Sequence, residues 1–269
     1  MRFVTYDAGN GPRAGVLRGG DRVVEAGRSL RELIAVSRLA EPADAEEIPL
    51  SDVQVLPPIP DPEKIICIGL NYRAHAEESG VEPFAVPTFF AKFRNALVPD
   101  GAEVALPANS EKVDYEAEVA FVVGRRAKDV SEEAALDYIA GYMLLNDLSA
   151  RDLQFATPQW IPGKIFDGAA PCGPILVTPD EAGAHDAIAF DLKLNGEEMQ
   201  NATTGDLIFS VPELLAHLSS LMTLEPGDIV STGTPSGVGS GRDPRVWLKP
   251  GDQVEITSPT LGKLRTSLI

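Results

Sequence analysis

The sequence is poor in three kinds of residue, and each scarcity narrows what the chain can be. Cysteine occurs only at Cys67 and Cys172 of 269 residues, without CxxC spacing. A disulfide framework and a cysteine zinc site are therefore not expected, and a reducing cytoplasm fits. Basic residues are outnumbered: 23 Lys and Arg face 40 Asp and Glu, a net charge of -17. Nucleic acid needs a basic face for its phosphates, so it is excluded as a partner, and an anionic membrane surface is an equally poor match. No apolar run nears the ~20 residues of a membrane span, and the start, MRFVTYDAGNG, has no long apolar core. Histidine is limited to His75, His185 and His217.

What is present is a large apolar fraction, 44%, enough for a substantial core. The pattern predicts a strand-rich α+β fold. Residues 1–58 read as a small N-terminal α+β domain: RFVTY, RAGVLRG and RVVEAG are strand-like, and SLRELIAV is a helix capped by Ser29. LPPIPDPEK, with four prolines in nine residues, is a stiff connector and the boundary to a domain of residues 59–269. There KIICIG, FFAKF, VDYEAEVAFVV, PILVT, AFDLKL, DIVSTG, DQVEIT and KLRTSL read as strands. Two helices are expected, SEEAALDYIAGYM from Ser131 and VPELLAHLSSL with Pro212 in its first turn.

In VDYEAEVAFVVG, Asp114, Glu116 and Glu118 fall on one parity. On a regular strand they would share a face at about 7 Å spacing. Such a face is either open to water or held by something positive. NDLSARDLQ adds Asp147, Arg151, Asp152 and Gln154 after an apolar run. Carboxylates without a nearby histidine suit a hard cation, Mg²⁺ or Mn²⁺, better than zinc.

His75 lies in GLNYRAHAEESG, and on a helix it shares a face with Glu78. A carboxylate so placed can orient an imidazole as a general base; an ordinary surface pair is the alternative. HAEE is not HExxH, which excludes a zincin. His185 and His217 read as a solvated loop residue and a helix residue. Of eight lysines, Lys92 in FFAKFRN and Lys164 in IPGKIFDG stand out. Each either neutralises a substrate anion or snorkels to the surface. The glycine-rich TGTPSGVGSG lacks the GK[ST] ending of a phosphate loop, although its backbone and Thr234 could approach a small anion.

Seven segments, in this order, resemble the fumarylacetoacetate hydrolase family: KIICIGLNYRAHAEE, FFAKFRNALV, VDYEAEVAFVVG, GYMLLNDLSARDLQ, GKIFDGAAPCGP, LNGEEMQNATTGDLIFSVPELLAHLS and LEPGDIVSTGTPSGVG. The resemblance runs from Lys64 to the C-terminus. It implies a mixed β-sandwich roll and a homodimer. By the same resemblance Glu116, Glu118 and Asp147 are ligands of Mg²⁺ or Mn²⁺, and His75 and Glu78 are a catalytic pair on a lid. Lys164 and Gln154 match polar groups at the reacting oxygens, Thr234 a contact to the substrate's acid end, and Arg151 a supporting residue. Ile165 stands where many members carry a small residue, which bears on substrate size. The expected reaction is hydrolysis of a carbon–carbon bond in an acylpyruvate-like 2,4-dioxo acid. Isomerisation of a 2-hydroxy-dienedioate and decarboxylation of oxaloacetate are the alternatives that share the same metal site.

Overall fold

The computed structural model describes residues 1–27, 29–40, 46–82 and 84–269. One sheet of 12 strands dominates. Ten of them run in the order Glu47–Pro49, Arg22–Gly27, Pro12–Arg18, Arg2–Asp7, Ala170–Val177, Ile139–Asn146, Ala117–Val123, Ile229–Ser231, Ile65–Gly69 and Thr88–Lys92, while Gln54–Leu56 pairs with Arg2–Asp7 and Leu97–Val98 with Ala170–Val177. The first strand of the chain pairs antiparallel with Ala170–Val177, so the N-terminal strands continue this sheet. A second sheet of five strands, in the order Glu197–Thr203, Ala189–Leu194, Gln253–Ser258, Gly262–Leu268, Ala102–Val104, packs on the first. The strand-rich α+β expectation is met. Among the described residues no helix is long and apolar enough to cross a membrane.

The strands that carry the site are buried on both faces. All seven residues of Ala117–Val123 and all eight of Ile139–Asn146 are buried, which is why they read as continuous apolar runs. Ile65–Gly69 runs parallel to Ile229–Ser231, one strand in from the Thr88–Lys92 end of the large sheet. The helix Val211–Leu221 forms as its sequence dictates. Ser210 and Glu213 make a reciprocal capping box, and proline stands in the first turn.

Two sequence expectations are corrected. SEEAALDYIAGYM is not one helix. Glu132–Tyr138 is a 3₁₀ turn, and Ile139 begins the strand Ile139–Asn146. Apolar residues without a polar face fit a strand covered on both sides, and tertiary burial overrides the helical start. VDYEAEVAFVV is likewise not one strand. Val113–Asp114 pairs with Ser149–Ala150, Tyr115 and Glu116 form a break, and the central strand starts at Ala117. Asp114 lies outside the carboxylate group that the two glutamates form with Asp147.

Candidate active site

The catalytic-type residues come from four places in the chain. Glu116 lies in the break just before the strand Ala117–Val123 and Glu118 is that strand's second residue, and Asp147 follows its neighbour Ile139–Asn146. The register Ala117 to Asn146 brings the two ends together, and the Asp147 amide donates to the Glu116 carbonyl over 2.9 Å. Carboxylate oxygens of Glu116, Glu118 and Asp147 all lie within 4.8 Å of one another, and all three residues are buried.

Their charges are balanced unevenly. The Lys164 ammonium reaches Glu116 at 2.7 Å and Asp147 at 3.0 Å, and stands 4.8 Å from the centre of the Phe90 ring. Arg151 bonds Glu116 at 2.6 Å and Asp114 at 2.8 Å, and donates to Gln154 over 3.0 Å. Burial opposes ionisation of Glu116, but Arg151 and Lys164 hold its carboxyl well below the usual range. Glu118 has no ion pair among the described residues. It accepts from the Ser231 hydroxyl and, over 3.0 Å, from the Gly233 amide. Burial, then the charges of Asp147 and Glu116, push its pKa well up. A buried carboxylate short of positive charge beside two others is a donor set that fits a hard divalent cation.

Lys92 is not where the sequence reading put it. Its ammonium lies behind the cluster, 2.7 Å from Asp147 and within 2.5, 2.8 and 3.3 Å of the carbonyls of Lys164, Ala169 and Leu148. It is almost fully buried and does not line the cavity, so it braces Asp147 instead of meeting a substrate. A lysine on an apolar strand can snorkel or be fixed by carbonyl oxygens, and only the three-dimensional neighbours decide which.

Above the carboxylates lies a cavity of about 200 Å³. Glu116, Glu118, Lys164, Gln154, Arg151, Thr234 and His75 line it, with Phe90 and Trp160 as the apolar side. His75 and Glu78 sit on the helix Arg73–Ser79, and the imidazole Nδ1 is 3.2 Å from Glu78 Oε2. The other Glu78 oxygen accepts from the Gly237 amide over 3.0 Å. A Cβ on Gly241 would lie 2.4 Å from the Glu78 carboxyl carbon, so a larger residue there would push that carboxylate from its place. Gly163, before Lys164, is constrained too, since a Cβ there would meet the Ala150 carbonyl at 2.4 Å and the Gln154 amide at 2.5 Å. Thr234 donates to the Ala117 carbonyl over 3.0 Å and accepts from Gln200 over 2.9 Å, which seats it beside the two glutamates.

Several supporting residues escape a reading of the sequence alone. Gln200 clamps the Gly-Thr-Pro loop to the central strand through Thr234, the Pro235 carbonyl and the Ala117 amide. Asn71 ties the segment before the helix Arg73–Ser79 to Thr232 and Phe209. Asp114 accepts from the Gly239 amide over 2.7 Å and the Ser240 amide over 3.0 Å while binding Arg151, so one fully buried carboxylate joins the loop to Glu116. Its charged parity is visible in the sequence; its loop partners Gly239 and Ser240 are 125 and 126 residues away. Asp114→Asn leaves the Arg151 guanidinium partly uncompensated and should cost about 3 kcal/mol in urea denaturation. A loss under about 0.5 kcal/mol, the range of ordinary surface changes, would show that this link carries no weight.

A fold of this kind, with a carboxylate cluster under a histidine–glutamate pair, defines a class of enzymes acting on small acids. The model of the fumarylacetoacetate (FAA) hydrolase C-terminal domain matches residues 64–269, and the chain belongs to the fumarylacetoacetate hydrolase family. It is 41% identical over 221 residues to a mitochondrial oxaloacetate tautomerase of Xenopus laevis, covering 81% of this chain and 69% of the relative. Among solved structures, a 5-carboxymethyl-2-hydroxymuconate delta-isomerase from Mycobacterium smegmatis is 32% identical with a TM-score of 0.86, covering 100% of this chain and 99% of that one. A fumarylacetoacetate hydrolase from Exiguobacterium antarcticum is 31% identical with a TM-score of 0.89, again covering 100% and 99%.

Proposed function

We propose that this chain is a divalent-metal-dependent isomerase that moves a proton between carbon and oxygen of a small 2-oxo dicarboxylate, of which oxaloacetate is the simplest. The observation that carries the reading is the oriented base. His75 Nδ1 is tied to Glu78, Glu78 is tied to the Gly237 amide, and His75 lines the same cavity as Glu116 and Glu118. With Nδ1 engaged, Nε2 is the nitrogen left to exchange a proton with the substrate.

Glu116, Glu118 and Asp147 would hold the cation, which when bound supplies a Lewis acid that makes a proton beside the 2-oxo group easier to remove. Lys164 and Arg151 keep Glu116 ionised, and Lys92 holds Asp147 in place. Thr234 lines the cavity with its hydroxyl proton donated to the Ala117 carbonyl, so it would meet a carboxylate of the substrate only on turning that proton inward. His75 takes the proton from carbon and returns one to oxygen, or the reverse, so no water is consumed. Phe90 and Trp160 restrict water at that wall.

Hydrolysis of a 2,4-dioxo acid is the second reading, and the same histidine favours it, because an oriented base can also activate water. It needs a further donor for the oxyanion at the second carbonyl. Lys164, expected in that role, directs two of its three N–H donors to Glu116 and Asp147, which leaves one for an oxyanion. The tautomerase and isomerase relatives add support to proton transfer. Cys67 and Cys172 are both free and buried, and the Xenopus relative is named as mitochondrial, so we propose a reducing compartment, not the cytoplasm in particular.

The enol absorbance of oxaloacetate, followed with Mg²⁺, with Mn²⁺ and with EDTA, tests the proposal. Chelator-sensitive enol–keto exchange without carbon dioxide is the expected result. Chelator-sensitive release of pyruvate plus an acid from an acylpyruvate, with no exchange of oxaloacetate, would replace it with the hydrolase.

A further inference from the structure

A second chamber, of about 400 Å³, opens beside the first. The two share the walls made by Ser79, Arg151, Phe155 and Ser240, so a ligand can extend from one into the other. The outer chamber adds Lys112, Arg245 and Trp247. Neither the Lys112 ammonium nor the Arg245 guanidinium has an ion pair or hydrogen-bond partner among the described residues, although both are exposed on a chain with net charge -17. The acids on the same walls are already occupied. Glu78 bonds His75 and the Gly237 amide, and Asp152 accepts from the Ser110 hydroxyl and from the Glu111 and Leu153 amides.

The two cations are mounted on fixed backbone. The Lys112 carbonyl accepts from the Arg151 amide over 2.9 Å, and the Leu248 amide donates to the Val113 carbonyl over 2.8 Å. The Val246 amide donates to the Gly239 carbonyl over 3.0 Å, so the Arg245–Trp247 stretch is held against the loop that Asp114 anchors. Unneutralised positive charge at the mouth of a cleft raises the local concentration of anions and favours an anionic ligand end. Trp247, half-buried, offers an apolar face to the carbons between.

We infer that the outer chamber seats a second carboxylate on Arg245 and Lys112, so that the site selects extended 2-oxo dicarboxylates over monoacids of the same length. This deepens the proposed function and rests on it only for which end of the ligand lies in the inner cavity. A four-carbon diacid keeps both carboxylates near the cation site. A six- or seven-carbon diacid carries its second one outward.

The test is calorimetric binding to the Mg²⁺-loaded protein of two ligands of equal length, 2-oxoadipate and 2-oxohexanoate, which differ by a carboxylate in place of a methyl. The native protein should bind the diacid roughly tenfold more tightly, the range expected of two partly exposed ion pairs. The double variant Arg245→Ala with Lys112→Ala should bring the diacid to parity and leave 2-oxohexanoate unchanged; Arg245→Lys should keep most of the preference. Both positions are exposed, and an unchanged melting temperature of the variant checks that the fold is intact. Equal loss of both ligands, an undiminished preference in the double variant, or no preference in the native protein would overturn the inference. Binding needs no turnover, and oxaloacetate exchange should persist in the double variant, so the two proposals fail separately.

Discussion

Replacing His75 by alanine should lower kcat for enol–keto exchange by roughly 10²- to 10⁴-fold, the contribution of a positioned general base. The KM for oxaloacetate should change little, because the imidazole does not belong to the carboxylate cluster or its cations. The melting temperature in Mg²⁺ should also be nearly unchanged, for His75 sits on a helix of seven residues outside the sheets. Stopped-flow enol absorbance and a thermal melt read the two quantities. A loss below tenfold would mean that another group moves the proton, and the oriented pair would then be a structural contact.

The second large effect is expected at Glu118, and its sign is unusual for a buried charge. Glu118→Gln keeps the shape, and its amide oxygen can still accept from Ser231 and Gly233. The metal-free protein should melt no lower than the native one, because burial and the charges of Asp147 and Glu116 already disfavour the Glu118 carboxylate. Stabilisation by Mg²⁺ should instead disappear. At a concentration of 100 times Kd that stabilisation amounts to about 2.7 kcal/mol in the native protein. A variant that retains the full Mg²⁺-induced shift would remove Glu118 from the ligand set, whereas one that melts far lower without metal would show the carboxylate to be structurally needed.

Much of the site could be read from the chain because its residues announce themselves locally. The i,i+3 spacing of His75 and Glu78 survives as a real contact because the segment is helical. Glu116 and Glu118 do face one cavity, although Tyr115 and Glu116 interrupt the strand that was expected to align them. What was illegible depends on distance along the chain. Lys92 looked like a ligand contact, and its true environment is a ring of carbonyls from residues 148, 164 and 169. Gln200 lies in a stretch, LNGEEMQN, with no local mark of the clamp it forms 34 residues onward. The IAGYMLL run misled because apolar composition alone does not separate a buried strand from a helix, and Gly141 is the clue: its Cβ would stand 2.4 Å from the Val177 carbonyl.

The pairings of the strand Ile229–Ser231 also govern how the molecule is made. Ala120 pairs with Ser231, and Ile65 with Ile229, so the strands that flank the carboxylates are joined across more than a hundred residues. Contacts of such sequence separation must close long loops before they gain anything, and they make a folding nucleus slow to form. Ser231 and Gly233, which hold Glu118, reach it only when the strand Ile229–Ser231 has docked between its two neighbours. A chain still emerging during synthesis therefore carries its glutamates and its histidine without a usable site. Recovery of activity on refolding should therefore follow the docking of that strand, whatever forms before it.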